Sequence, residues 1–497
     1  MSLEDVRSAL RSDASMVYVE APAGCGKTHE AAALGVDVAQ TLGENQRVLL
    51  LAHTNAAVRE FRSRAASAGA PIHATTLDSF ALELVAPRAR AFGLPDPLRP
   101  GDGPDAVPFQ TIMKAAAELL SRSPTIARSI GLRFPILIFD EHQDASDQQH
   151  ALLRKLKETA GCRVRVFADP MQAIFAFSGD LVDCESVAAE ADMSDSLFEP
   201  RRWDEVPELG EWLLAARAAL VAGKALPIDT RPPCVQIYVL PDLPNIHPKF
   251  DAVPYQMMST LEKCLTVDGS LAVLVPTRAN CQGMRGATKH EIPIYEGSDI
   301  PLAHEVLRVA TGKEGDPVAL SKLAVELIEG TSIGFTKVFR EQVASSITPD
   351  GIQIGRKEKI RTFLEKLADL YERPDLETWV RVVKDLPDHL PEGVRVAFPE
   401  TFRAVGAILI GGEGDYRDLL TLAIRQRRDF VRMPERIITT VHKSKGHEFD
   451  HVVVAPLGSG QFPDEASARK LLYVALTRAR KSVALIVPGE SPSPLLG

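Results

Sequence analysis

Residues 21–28 read APAGCGKT, an order of small residues, lysine and hydroxyl suited to gripping a polyphosphate. Ala21, Gly24, Cys25 and Gly26 let backbone N–H groups converge on phosphate oxygens. Lys27 can reach the outer phosphates, and the Thr28 hydroxyl can ligate Mg²⁺ at a helix N-terminus. Further on, FPILIFDEHQD (134–144) sets Asp140, Glu141 and Asp144 after a short apolar run with the length and composition of a strand buried on both faces. Acids there would stand at the strand's carboxyl end, where open α/β sheets bind ligands. Asp140 suits the ordering of Mg²⁺ and Glu141 the orienting of an attacking water in phosphoryl transfer. The rival, a transition-metal site of Asp140, Glu141, His142 and Asp144, is weaker because neighbours at a strand end point in alternating directions. Cys25, beside Lys27 and a helix N-terminus, is either a thiol of lowered pKa or a small filler, the second being favoured.

These groups need a rigid frame. Apolar runs predict strands at 16–19, 48–52, 136–139 and 164–168, and the loop at 21–28 is followed by a helical pattern from His29. Further strands are predicted at 271–276, 436–441, 451–456 and 482–488, so a second α/β layer is expected. Mainly helical stretches at 82–130 and 330–430 look inserted, and proline-rich turns punctuate 225–234 and 240–248.

The chain has 497 residues, 45% apolar and 25% charged, a globular balance with room for more than one domain. A net charge of −9 argues against a protein that coats nucleic acid by charge alone, although a narrow groove for a single strand remains compatible with it. No apolar run is long enough to span a membrane, and the start MSLEDVRSAL lacks a signal peptide's basic and apolar regions, so a cytoplasmic protein without membrane contact is expected. The six cysteines form no CxxC pair and indicate neither zinc nor disulfides.

The motifs together resemble the UvrD/Rep-like helicases of superfamily 1. LAHTNAAVREF (51–61) is similar to the family's single-strand-contacting segment and TTLDSF (75–80) to the one after it. DEHQD resembles the family's DExQD, and VFADPMQAIFAFSG (166–179) its GDxxQxIYxFRG motif. LFEPRRW (197–203) aligns with a segment bearing a phosphate-contacting arginine. TVHKSKGHEFD (440–450) and LLYVALTRAR (471–480) are similar to the two motifs of the second half.

The resemblance implies two RecA-like P-loop NTPase domains, parallel sheets with helices on both faces, each with a mainly helical insertion. Residues 1–81 and 131–200 would form the first motor domain with 82–130 as its short insertion. Residues 201–329 and 431–490 would form the second with 330–430 inserted, leaving a flexible tail at 491–497. It further implies an ATPase with ATP and Mg²⁺ as cofactors, moving 3′ to 5′ on single-stranded or partly duplex DNA. Gln172 would sense the γ-phosphate, Arg202 and Arg478 would neutralise it, and Glu448 would join the nucleotide site. Thr54, Asn55, Thr76, Phe175, Phe177, His442 and Lys443 would contact DNA, although each phenylalanine serves equally as core.

Three departures stand out: Val6 occupies the family's adenine-reading glutamine position, Ala168 replaces a glycine, and Ser178 an arginine. Basic runs at 356–361 and 424–436 are read mainly as solvated faces. The short insertions keep open a DNA-end or single-strand sensing ATPase that regulates a partner, and a DNA repair helicase is a further alternative. The chain's end soon after the last motif leaves cleavage to a separate subunit. In size and layout the chain resembles the helicase component of Gabija-type anti-phage defence systems, whose partner is an overcoming-lysogenisation-defect-type nuclease.

Overall fold

The computed structural model describes residues 3–96, 98, 100, 107–175, 181–240, 264, 266–288, 292–295, 306–307, 309–333, 337–354, 360–391, 394–396 and 434–497. The chain divides into two compact units, Met1–Asn280 with Thr440–Gly497, and Cys281–Thr439.

In the larger unit, α1 (Leu3–Arg11) leads to β1 (Met16–Glu20), the phosphate loop and α2 (Lys27–Ala39). There follow β2 (Val48–Ala52), α3 (Asn55–Ala68), β3 (Ile72–Thr76) and α4 (Leu77–Val85). After α5 (Phe109–Arg122) and α6 (Pro124–Arg133) come β4 (Ile136–Phe139), α7 (Asp147–Glu158), β5 (Arg163–Ala168), α8 (Cys184–Ala189) and β6 (Met193–Ser196). The six strands pair in parallel in the order β3-β2-β4-β5-β1-β6. β2 and β4 are continuous apolar runs, and β1 is one as far as Val19, because helices cover both faces of the sheet. The ends of β1, β4 and β5 therefore open side by side, and all the acids predicted from DEHQD stand there.

Helix α5, from the stretch read as an insertion, shares a core with α4 and this sheet: Ile112, Met113 and Leu120 pack with Phe80, Leu137 and Phe139. Arg165 lies buried within β5. Its guanidinium donates to the carbonyls of Leu10, Ser12 and Ala14 at 2.6–2.9 Å, satisfying acceptors at and just beyond the end of α1.

Helix α9 (Pro207–Val221) leads to the second sheet. There β7 (Val235–Leu240), β8 (Leu271–Val275), β9 (Phe449–Val454) and β10 (Ala479–Pro488) pair in parallel in the order β8-β9-β10-β7. Helix α10 (Ala466–Leu476) connects β9 to β10. The tail expected to fray is instead fastened: Leu495 is buried, its carbonyl accepts from Leu226 N–H at 2.8 Å, and Ser493 Oγ donates to Phe462 O. An apolar side chain with a core to enter outweighs the proline and serine content that suggested disorder.

The smaller unit has its own core. Helices Pro317–Thr331, Arg361–Glu372 and Leu376–Asp385 enclose Leu320, Ile328, Phe363, Leu367 and Trp379, and Trp379 donates to Leu320 O at 3.0 Å. Residues 306–329, read from sequence as part of the second motor layer, pack into this core. The basic runs at 356–361 and 424–436 lie mainly outside the described residues, as do Phe177 and Ser178.

Candidate nucleotide site and nucleic-acid interface

The loop after β1 turns on two glycines with left-handed backbones, Gly24 at φ 75° and Gly26 at φ 88°. A Cβ on Gly24 would lie 2.5 Å from Trp203 Cζ3, so bare backbone is needed there for space as well as for conformation. Gly26 precedes α2, whose first residues are Lys27 and Thr28. Lys27 Nζ donates to Ala21 O at 2.8 Å and stands 3.8 Å from Glu141 Oε1. Thr28 Oγ1 donates to Asp140 Oδ2 at 2.8 Å. The two motifs picked out by sequence thus meet at one point, across 112 residues of chain.

Asp140 Oδ1 is buried without a hydrogen-bond partner. A hydroxyl beside a carboxylate with one free oxygen is a hard-oxygen donor pair that fits Mg²⁺, an ion commonly held by one or two protein oxygens and the substrate's phosphates. Among the described residues no group of three or more His, Cys, Asp or Glu could hold a metal, so the transition-metal alternative finds no cage. Burial, reinforced by the charge of Glu141, pushes Asp140 above the usual carboxylate range. Burial acts on Glu141 in the same sense, but Lys27, Lys445, the Gln143 amide and Arg478 together hold it below its ordinary value. Two adjacent carboxyls are thereby driven apart, which is how a site assigns them different duties. Glu141 also has φ 57°, the one positive value at a non-glycine among the described residues. Gln143 sustains that bend, donating to Glu141 Oε2 and accepting from Asp169 N–H at 3.0 Å.

The second sheet's segments reach the same centre. Arg478, 3% exposed, donates to Gln172 Oε1 at 3.2 Å, Thr477 Oγ1 at 3.0 Å and Val474 O at 3.0 Å, all neutral acceptors. Burial lowers it to about 10. Arg202 pairs with Glu448 at 2.5 Å and donates to Thr477 O at 2.7 Å, while its own N–H bonds Gly24 O at 3.0 Å. Next to it, Trp203 donates to Ala479 O at 2.7 Å. Lys445 grips both oxygens of Asp144 at 2.6 and 2.7 Å and donates to Gln172 O at 2.5 Å. Even so, burial leaves Asp144 raised to about 6.

Residues 4–178 match an AAA domain family, and residues 437–486 match the UvrD-like helicase C-terminal domain. Together these indicate an ATP-hydrolysing DNA helicase and support the likeness to the UvrD/Rep-like helicases. No curated protein matches the chain.

The residues read from sequence as DNA contacts can be placed in the same frame. Thr54 caps α3, accepting from Ala57 N–H at 3.2 Å, and Thr76 caps α4, accepting from Ser79 N–H at 3.1 Å. Both lie at carboxyl ends of neighbouring strands, and Thr54 is exposed. Asn55 is the first residue of α3. Phe175 is half-buried, 6.1 Å from the His442 ring and with Lys445 Nζ 5.2 Å from its centroid. Lys443 is exposed. No helix among the described residues is long and apolar enough to cross a membrane.

The structure bears on two of the sequence readings, and several partners are new. Burial pushes the Cys25 thiol up to about 11, which makes it a filler of the loop rather than a reactive group. Val6 is buried in the core against which α1 packs, and its neighbour Arg7 is committed to Glu30 by two hydrogen bonds of 2.9 Å, so neither side chain is placed to read a base. Lys445 was visible in the KG pair of its motif. Tyr473 likewise stands in the motif at 471–480 but has no role assigned from sequence, and its hydroxyl accepts from Ala23 N–H of the phosphate loop at 2.9 Å and donates to Asp169 Oδ2 at 3.2 Å. Arg217 completes that cluster on Glu20 at 2.5 Å and Asp169 at 3.1 Å.

Proposed function

We propose that the chain is a Mg²⁺- and ATP-dependent motor that moves 3′ to 5′ on single-stranded DNA. Ala21 to Thr28 cradle the triphosphate, Thr28 and Asp140 hold Mg²⁺, and Glu141 orients the attacking water while Gln172 senses the γ-phosphate. Mg²⁺ supplies neutralisation of phosphate charge, and Lys27, Arg202 and Arg478 add to it. Glu448 sets the position of Arg202. Thr54, Asn55, Thr76, Phe175, Phe177, His442 and Lys443 hold the strand by stacking and backbone contacts.

The observation that carries this reading is Arg478. It is a buried guanidinium whose partners are all neutral, set against Gln172 in a centre that already holds Lys27 and Glu141. Glu448 and Glu141 act on this buried cation electrostatically, and a triphosphate would bring negative charge into direct contact with it. Arrival of ATP then draws the Arg478 segment toward the phosphate loop, and hydrolysis releases it.

Strand displacement on duplexes with a 3′ or a 5′ single-stranded tail, with ATP and Mg²⁺, tests polarity and unwinding together. Unwinding from the 3′ tail alone is expected. The second reading, a strand-sensing ATPase that regulates a partner, is favoured by the way α4 and α5 are absorbed into the first core, which leaves less for an independent duplex-splitting arm. It predicts DNA-stimulated hydrolysis without displacement of either duplex. In both readings we place the chain in anti-phage defence beside an overcoming-lysogenisation-defect-type nuclease, rather than in DNA repair. Co-purification with such a nuclease in moderate salt is the outcome expected, and separate elution contradicts it.

A further inference from the structure

Four rings pack round the bend that carries the two catalytic acids. Phe139 immediately precedes Asp140 and His142 immediately follows Glu141, and both side chains are fully buried. The His142 ring meets Phe139 edge-on with centroids 4.6 Å apart. Its Nε2 lies 3.0 Å from His150 Nδ1 in α7, and His150 Nε2 lies 3.3 Å from Glu190 Oε2 just beyond α8. From the other direction His53 stacks on Phe139 at 5.2 Å with the rings 27° apart. His53 is the residue between the end of β2 and Thr54, and the same strand end is tied to the acids by Asp140 N–H donating to Leu51 O at 3.1 Å.

A core that needed only filling would not use imidazoles here. His53 Nε2 and His142 Nδ1 are both buried without a hydrogen-bond partner, a burial that costs stability and that an aliphatic side chain would avoid. The bend they surround holds Glu141 in a left-handed conformation, which persists only where the neighbours dictate it. Close-packed interiors pass displacements on rather than absorbing them. A shift of the β2 end therefore reaches His53, then Phe139 and His142, which lie on either side of the acids. His150 and Glu190 anchor the far end, so that the bend pivots instead of drifting.

We propose that the His53, Phe139 and His142 stack relays strand engagement at Thr54 to the water-orienting Glu141, with His53 and His142 as positioning residues. This rests on the reading of the Thr54 segment as a DNA contact.

ATP turnover with and without single-stranded DNA, together with ATP KM and DNA Kd, should be measured for the wild type, His53→Phe, His53→Leu and His142→Leu. Leucine at 53 keeps bulk and removes the ring, whereas phenylalanine keeps the ring. We expect His53→Leu to lose about tenfold of the DNA stimulation while basal turnover, KM and Kd stay within about twofold. His53→Phe should retain the stimulation, and His142→Leu should lower the stimulated rate more than the basal one. Full stimulation in the leucine variants, or an equal loss in His53→Phe, overturns the relay while leaving the motor reading standing. A wild type indifferent to DNA removes the motor reading and the relay with it.

Discussion

The two sheets of the larger unit bring opposite charges to one place. Ends of the first carry Glu20, Asp140, Glu141, Asp144 and Asp169, whereas the segments that follow it and the second sheet deliver Arg202, Arg217, Lys445 and Arg478. Some of these charges are already paired. Lys445 is spent on Asp144 and Arg217 on Glu20 and Asp169, in clusters that fasten one set of elements to the other. Arg478 is not spent in that way, and Asp140 keeps a free oxygen. The contrast separates charges that hold the layers together from charges that await a ligand, and mutation should separate them too.

The largest effect is expected from the charges of the nucleotide site. Lys27→Ala and Asp140→Asn should each lower DNA-stimulated turnover by about a hundredfold or more, because each removes transition-state charge stabilisation. Far-UV circular dichroism and the unfolding midpoint should stay close to wild type, since neither group fastens the fold.

The fastening charges should do the reverse. Lys445→Ala leaves Asp144 buried and unpaired, at a cost of about 3–5 kcal/mol in denaturant unfolding. Adding Asp144→Leu should recover part of that loss. A single mutant of unchanged stability would show that the pair is not an anchor. Tyr473→Phe deletes one hydroxyl that serves both Ala23 and Asp169, and it should cost about 1–3 kcal/mol.

How much of this could be read beforehand follows physical lines. The strands of the sheet interiors were legible because burial on both faces demands unbroken apolar runs. β6 (MSDS) was not, since it is a short, polar edge strand, and the half-buried β3 (IHATT) was seen only as a motif. The loop and DEHQD were legible because phosphate and Mg²⁺ chemistry fixes residue types at fixed spacing. Pairings such as Lys445 with Asp144, 301 residues apart, or Tyr473 with Ala23, leave no local pattern, because only the folded layers bring them together. Arg165 is a charge within an apolar strand because carbonyls at and beyond the end of α1 supply its partners.

A further effect concerns pH. Burial lowers His53 to about 4 in the folded chain, below the 6.5 of an ordinary imidazole. Between those values the unfolded chain binds a proton that the folded chain refuses, so acid in that window favours unfolding. His53→Phe removes this contribution. Its stability should fall less steeply than wild type between pH 6.5 and about 4, by at most about 1.4 kcal/mol per pH unit. Parallel curves in urea titrations would mean that the ring is not buried as described.

The most direct test is the ATP turnover of Arg478→Ala in saturating single-stranded DNA, with nucleotide affinity measured alongside. If Arg478 waits for the γ-phosphate, kcat should fall by about a hundredfold or more while ATP affinity changes only a few-fold. Turnover close to wild type would contradict the account, because the buried cation set against Gln172 would then have no part in the chemistry.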